Sequence, residues 1–161
     1  TGKVESGSDG ETVWSNSATT GSQRLEGAQR SDMLLRARLD RYTEWRTNYA
    51  GARLDGEHEV DGRPCLQVVL TPPDGRPEAL CFDKETGLLT RLAMTVRTPG
   101  GDISVETVMS DYRDVDGIRL PFQMKSRLPG QERLMRIESV VHNADIPGGR
   151  FAPPAGLPER K

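Results

Sequence analysis

The sequence predicts an α+β fold that is mainly β: a strongly curved antiparallel meander with one or two covering helices. Turn signals such as Asp61-Gly62, "DKETG" and Asp116-Gly117 recur about every 10 to 15 residues from residue 52 onward. Between these turns, apolar residues occupy every second position, which indicates strands with one apolar face. Helical periodicity is confined to a single segment near residue 40.

Length and composition are those of one globular domain. The chain has 161 residues, of which 34% are apolar and 17 are glycine. Its net charge is −2, and acidic and basic residues are interspersed. This pattern predicts no nucleic-acid partner. No apolar run approaches the 18 residues or so that a membrane-spanning helix requires.

Turn and periodicity signals in the N-terminal region predict a hairpin, a loop and then the helix. Residues 1–14 form the hairpin with a turn at Asp9-Gly10, and the polar stretch "SNSATTGSQRLEG" forms the loop. The helix is predicted to begin at a cap provided by Ser31-Asp32 and to end near Ala50-Gly51. Its apolar stripe, which we expect to face a sheet or a cavity mouth, consists of Leu35, Leu39, Tyr42, Trp45 and Tyr49.

Strand register predicts a row of methionines. If Asp116-Gly117 is a two-residue turn, Met109 lies opposite Met124. If Pro129-Gly130 is another, Met124 lies opposite Met135. With Gly100-Gly101 as the preceding turn, Met94 pairs with Thr107 and lies diagonal to Met109. Four consecutive strands would then bring a methionine to one region of one face.

The methionines allow two interpretations from pattern alone. Methionine has an unbranched, polarisable side chain that fills irregular gaps in a protein core. The same property suits a surface that accepts apolar ligands of variable shape. Both interpretations fit the sequence.

Cysteine and histidine spacing predicts no metal site. Cys65 and Cys81 fall in neighbouring strands, about one diagonal step apart on one face, so that a disulfide and two small buried thiols both remain open. His58 and His142 stand alone, without neighbours at ligand spacing. No nucleophile elbow, phosphate loop or zinc-protease motif occurs. We therefore predict a protein without catalytic residues, metal or cofactor.

Several motifs resemble a known family. They are "VDGRP" at 60–64, "FDKETGLL" at 82–89, "SDYRDVDGIRLPF" at 110–122 and "RIESVVHNADIPGGRFAPPA" at 136–155. The chain resembles the central and C-terminal part of the outer-membrane lipoprotein-sorting proteins, the LolA/LolB-like superfamily, in its branch of uncharacterised exported proteins.

The resemblance implies an incomplete β-barrel whose helices form a lid over a hydrophobic cavity, with residues 31–49 as part of the lid. It also implies an exported protein of the periplasm or cell envelope of a Gram-negative bacterium. Family members carry or accept lipoprotein acyl chains. The N-terminal helix and first strands of the family pattern do not precede Thr1. The resemblance therefore predicts an N-terminally truncated half-barrel at 1–151 and a free sheet edge through which it could dimerise. The proline-rich end of the sequence predicts a flexible tail at 152–161.

The leading hypothesis is a non-enzymatic lipid or lipoprotein acyl-chain carrier domain with peripheral membrane contact. Its predicted ligand-binding residues are Leu92, Met94, Val105, Met109, Leu120, Phe122, Met124, Met135 and Ile137, with Trp45 covering the opening. The alternative is a fully packed structural or protein-interaction module of a larger envelope assembly. A hydrolase is the third hypothesis, and it would need a cluster of catalytic side chains that the spacing does not indicate.

Overall fold

The computed structural model describes residues 3–73, 75–98 and 101–158, and these residues form two compact units. One unit contains the described residues up to Trp45 and from Ala144 onward, and the other is Arg46–Asn143. The predicted domain bounds, 1–151 with a tail at 152–161, stay a prediction. Both ends of that prediction, residues 1–2 and 159–161, lie outside the described residues.

The first unit contains a three-stranded antiparallel sheet. Its strands, in the order 1-2-3, are β1 (Val4–Ser8), β2 (Val13–Ser17) and β3 (Gly21–Arg24). The predicted hairpin is confirmed, since the Asp9 carboxylate closes its turn by accepting the backbone N–H groups of Glu11 and Thr12. The loop predicted after it is wrong, because β3 lies within it. Strand β3 is polar, so it shows no apolar alternation from which a strand could be predicted. Its pairing with β2 and the Ser17–Thr20 hydroxyl contact hold it in place.

The predicted single helix is also wrong, because two shorter helices replace it. Helix α1 spans Gly27–Ala37 and helix α2 spans Trp45–Asn48. Arg38 is extended after α1, and its guanidinium binds the Asp40 carboxylate through two hydrogen bonds of 2.8 Å. Leu39 is fully exposed, so it breaks the predicted apolar stripe. No helix in the described part of the chain is long and apolar enough to cross a membrane.

The second unit is a seven-stranded antiparallel sheet in which each strand pairs with its neighbours in sequence. The strands are β4 (Gly51–Val60), β5 (Arg63–Thr71), β6 (Glu78–Asp83), β7 (Leu89–Thr98), β8 (Gly101–Val115), β9 (Ile118–Leu128) and β10 (Gln131–Arg136). The first strand, β4, and the last, β10, form the two edges, so the sheet does not close. This arrangement confirms the predicted fold class, a mainly β meander that forms an incomplete barrel with two short helices.

The predicted methionine row is confirmed. Val115 pairs with Ile118 across the Asp116-Gly117 turn, which places Met109 opposite Met124. In the next hairpin, Met124 lies opposite Met135.

The register predicted for Met94 is wrong. Thr98 pairs with Gly101, so the two-residue loop is 99–100 instead of 100–101, and Met94 lies opposite Val105. The residue that follows Thr98 in the sequence is Pro99, which has no N–H to donate to a strand partner. The two loop residues themselves lie outside the described residues. A shift of two positions keeps Met94 on its predicted face but moves it away from Met109.

A disulfide joins Cys65 of β5 to Cys81 of β6, with their Cα atoms 5.6 Å apart. Cys65 pairs in register with Asp83 and Cys81 with Gln67, so the predicted diagonal placement is confirmed. Both cysteines are essentially buried and pack with Val60. The disulfide therefore forms the centre of a small core on one face of the sheet.

The predicted "DKETG" turn between β6 and β7 is closed by the Asp83 carboxylate. Its Oδ1 accepts the Thr86 N–H and the Thr86 hydroxyl at 2.8 Å, and its Oδ2 accepts Arg63 Nε at 2.9 Å. These Thr86 bonds, with the nearby Arg63 guanidinium, lower the pKa of Asp83 to about 2. The ionised carboxylate therefore stabilises the turn.

Loss of the disulfide should lower the free energy of unfolding by about 3 kcal/mol, because the cross-link restricts the unfolded chain. The test is urea unfolding of a Cys65→Ala/Cys81→Ala double variant. Reductant should destabilise the wild type and leave this variant unchanged. Equal urea midpoints for the two proteins without reductant would contradict the account.

Asp83 should make stability fall in acid. Its folded pKa of about 2 lies below the usual 3.8, so its contribution is complete above about pH 4 and is lost as the pH falls towards 2. The test is urea unfolding of the wild type and Asp83→Asn across this range. We expect the wild type to be the more stable above pH 5 and the gap to close by pH 2. A gap that is constant from pH 5 to 2 would be inconsistent with this role.

Candidate apolar binding face

Alternate residues of β5 to β10 place the three row methionines on one side of the sheet, which we call the methionine face. Its side chains are Leu66, Val68 and Leu70 of β5, Glu78, Leu80 and Phe82 of β6, Leu92, Met94 and Val96 of β7, Ile103, Val105, Thr107 and Met109 of β8, Leu120, Phe122, Met124 and Ser126 of β9, and Arg133 and Met135 of β10. The face is predominantly apolar across six strands.

Burial differs along the methionine face, and its edge strand β10 is exposed. Leu70, Leu80 and Leu92 are buried, with exposed fractions of 7% or less. Met109 and Met124 are half-buried, and Met135 is 54% exposed. The row therefore leads from the packed part of the sheet to an open margin, and apolar surface remains uncovered along it.

A tyrosine contacts the inner end of this row. The Tyr112 hydroxyl donates to the Leu89 carbonyl and lies 4.0 Å from Met109 Sδ. Burial raises the pKa of the Tyr112 hydroxyl above its ordinary value. Met109 therefore has a polar neighbour that is held by a backbone hydrogen bond. Among the described residues, no comparable polar contact is seen at Met135.

Phe122 is covered by a charged side chain. The Arg113 guanidinium carbon lies 4.5 Å from the centre of the Phe122 ring, at cation–π distance. Asp111 holds this guanidinium through hydrogen bonds of 3.0 and 2.6 Å, and Arg113 in turn lowers the pKa of Asp111. A ligand could contact the Phe122 ring face only after displacing Arg113.

A polar pair lies beside the methionine row. Thr107 Oγ1 and Ser126 Oγ are 2.9 Å apart, and Leu92 and Arg133 flank them in the same row. Because the two hydroxyls satisfy each other, they add little polarity to the surface. They separate the methionine row from the pair formed by Met94 and Val105.

A buried carboxylate lies at the β6 end of the methionine face. Glu78 is 1% exposed, alternates with Leu80 along β6 and accepts a 3.3 Å hydrogen bond from the Tyr49 hydroxyl. Tyr49 follows α2 and is itself buried, and the Ala50 N–H donates to the Thr71 carbonyl. These bonds hold the segment after α2 against the sheet.

The structure groups most of the predicted binding residues, although not as one continuous set. Met109, Met124 and Met135 form a row, and Met94 faces Val105. Ile137 donates its N–H to the Phe122 carbonyl just beyond β10, while Leu120 lies opposite Arg113. Trp45 belongs to the other compact unit and is half-buried. Its covering role stays a prediction.

The opposite face, which we call the disulfide face, carries a groove of about 760 Å³. Its lining includes Val69, Ala79 and Ala93, which follow one another across three strands. Met94 and Val105 also border it. Two of the predicted binding residues therefore adjoin a space on the far side of the sheet.

Charged and polar side chains form a network across the disulfide face. Gln67 donates to Asp55 and accepts from Arg91, both at 2.7 Å. Glu106 lies 4.0 Å from Arg91 and 3.2 Å from Arg127. Opposite charges pair within this network, so the face presents no strong field of one sign. Within the described ranges, no three potential ligand side chains form a metal-binding group.

Two important side chains were missed by sequence reasoning. Glu78 interrupts the apolar alternation in "EALCF", and this break was the available signal. Arg113 lies opposite Leu120, in the same register that pairs Met109 with Met124, so alternation along β8 was the available signal for its face. The pattern alone could not indicate that Arg113 would cover Phe122.

Comparison with solved structures identifies a similar fold. A DUF1329 family protein from Desulfovibrio piger matches with a TM-score of 0.51 and 19% identity, over 85% of this chain and 64% of that chain. An outer membrane lipoprotein-sorting protein domain from Vibrio parahaemolyticus matches with a TM-score of 0.48 and 11% identity, over 82% of this chain and 62% of that chain. No protein-family model and no curated protein matches the sequence significantly.

The similarity concerns the fold. The match to the DUF1329 family protein supports the predicted mainly β architecture. The chain spans less than two thirds of either solved structure. At these identities the match assigns no activity or ligand.

The Tyr49–Glu78 bond should contribute to stability. Replacing Tyr49 with Phe removes a donor to a buried carboxylate and should lower the free energy of unfolding by about 1 to 3 kcal/mol. Chemical denaturation of Tyr49→Phe, Glu78→Gln and the double variant measures the coupling between the two side chains. Strictly additive effects of the two substitutions would rule out this interaction as the cause.

Proposed function

We propose that this chain is a non-enzymatic domain of the Gram-negative cell envelope that binds lipid or lipoprotein acyl chains on its methionine face. The observation that carries the proposal is the row Met109–Met124–Met135, aligned across three strands with its edge member, Met135, exposed. A broad apolar surface that is only partly covered is typical of a ligand or partner site.

The dimensions of the row suit an acyl chain. Three adjacent strands place their methionines over about 10 Å, because neighbouring strands are about 4.8 Å apart. Each methionine can change rotamer to follow a flexible guest. Burial of apolar area at about 25 cal/mol per Å² would supply most of the affinity, with few polar contacts required.

The proposed contacts follow from burial. Met94, Val105, Met109, Leu120, Met124, Met135 and Ile137 would contact the ligand directly because they retain accessible surface. Leu92 and Phe122 would form the base beneath it, since both are buried.

The Cys65–Cys81 disulfide supports an exported location. Disulfides persist in oxidising compartments such as the bacterial periplasm and are rare in the cytosol. In that compartment, a lipid or lipoprotein acyl chain is an available apolar ligand, and transient membrane contact would deliver it.

A packed structural or protein-interaction module is the second candidate. The burial of Leu70, Leu80 and Leu92 favours it, since the part of the methionine face nearest β6 is already covered. In this case the row methionines would contact an envelope protein.

The proposal predicts that the protein purified from bacterial envelope carries lipid. Met124→Asp should reduce the recovered lipid at least tenfold, because a carboxylate in the row would have to be desolvated. Gln123→Asp is the matched control, since residue 123 is the adjacent position on the opposite face. Lipid extraction with mass spectrometry, normalised to folded protein, gives the readout.

Lipid in the wild type and in Gln123→Asp, but not in Met124→Asp, supports binding on the methionine face. A wild type without lipid, together with no binding of a fluorescent fatty acid in solution, would contradict the proposal. Equal lipid in all three proteins would exclude this face as the site.

A further inference from the structure

The two edges of the seven-stranded sheet differ in how open they are to pairing with another strand. Edge strand β4 is interrupted by a register shift between Leu54 and Gly56, an irregularity that discourages further pairing. Edge strand β10 pairs regularly with β9 over all six of its residues and contains no proline. Every residue of β10 is exposed.

The chain that follows β10 continues beside β9. Ile137 donates its N–H to the Phe122 carbonyl at 2.9 Å, which extends the β9–β10 pairing by one residue. Further on, His142 Nδ1 lies 2.9 Å from the Asp116 carboxylate in the β8–β9 turn. Residues 137–142 therefore run along β9 towards that turn and leave the outer side of β10 open.

The backbone of β10 presents a defined set of outward groups. In an antiparallel ladder, directly opposed residues alternate between hydrogen-bonded and non-hydrogen-bonded pairs. Because Ile137 bonds to Phe122, the pairs of Met135 with Met124 and of Arg133 with Ser126 are of the bonded type. The N–H and C=O groups of Glu132, Leu134 and Arg136 consequently point away from β9.

We propose that β10 is a homodimer interface, in which β10 of a second copy pairs with it antiparallel about a twofold axis at Leu134. In this register, Leu134 lies opposite the partner's Leu134, and Glu132 lies opposite the partner's Arg136. All outward backbone groups of residues 132, 134 and 136 then find partners, which gives six hydrogen bonds between strands. This is the self-complementary register with the longest overlap, because an isologous interface requires a twofold centre.

The side chains of β10 favour the same register. Leu134 is 53% exposed, so contact with its symmetry mate would bury apolar surface on both copies. Arg136 is exposed and has no ion-pair partner within the described part of the chain. Opposed Glu132 and Arg136 side chains would form two symmetric ion pairs on the face of the sheet that also carries Leu134.

Two basic side chains of β9 hold the Glu132 carboxylate. Lys125 at 3.0 Å and Arg127 at 3.5 Å orient its carboxylate, and Lys125 is the main cause of its lowered pKa. The carboxylate is therefore ionised well below neutral pH. The interface does not depend on the ligand proposed above, although it would place the exposed Met135 of each copy at the junction of two methionine faces.

Sedimentation velocity over a range of concentrations tests the proposal with the 161-residue chain. We expect a reversible dimer with a dissociation constant below about 1 mM. Leu134→Pro should raise that constant at least tenfold, because proline removes an outward N–H that makes no bond within the monomer. Leu134→Ala keeps this N–H and should weaken the dimer less. Thermal unfolding of each variant verifies that the monomer remains folded.

Charge reversal provides a second, independent measurement. Arg136→Glu places two carboxylates opposite each other and should weaken the dimer, whereas Glu132→Arg/Arg136→Glu restores opposite charges and should recover it. A wild type that stays monomeric at about 1 mM would overturn the proposal. A dimer that Leu134→Pro leaves unchanged would also overturn it.

Discussion

The constraint on which the structure depends is the antiparallel register of the seven-stranded sheet. Side chains alternate between the two faces of a strand, so a slip of one residue would exchange every apolar and polar position. The Asp116-Gly117 turn prevents such a slip between β8 and β9, because both of its residues adopt the positive φ angles of a tight hairpin. The disulfide adds a covalent link between β5 and β6. Together these features keep the methionines in one row.

The same register gives the two faces different chemistry. The methionine face is mainly apolar. Thr107 pairs with Ser126 and Glu78 with Tyr49, and Arg133 lies exposed on the edge strand. The disulfide face combines a small core at Cys65 and Cys81 with a side-chain network that crosses several strands. Apolar guests therefore suit the first face, whereas the second carries a network of charged and polar side chains. Association through β10 would extend both faces, because a strand pairing adds to the sheet without covering either side.

Sequence reasoning predicted the meander and the methionine row because short turns and period-two alternation are local features. It failed where the deciding contact was distant or polar. Strand β3 has no apolar alternation and is held mainly by its pairing with β2. The helix stripe through Leu39 looked continuous, but the extended conformation at Arg38 ends α1 before it. The strand partner of Met94 depends on the register between β7 and β8. The observed register differs by two positions from the predicted one, so Met94 lies opposite Val105 instead of Thr107. Arg113 covers Phe122 through a cation–π contact, and strand alternation does not indicate which way a long, flexible side chain turns.

The central claim is that apolar ligands bind along the methionine row. Photo-crosslinking with a diazirine-bearing fatty acid, followed by peptide mass spectrometry at single-residue resolution, tests it most directly. The account predicts labels at Met109, Met124 and Met135 and few at the intervening positions Val108, Gln123 and Leu134. Labelling without this alternation, or labelling concentrated on the groove of the disulfide face, would contradict it.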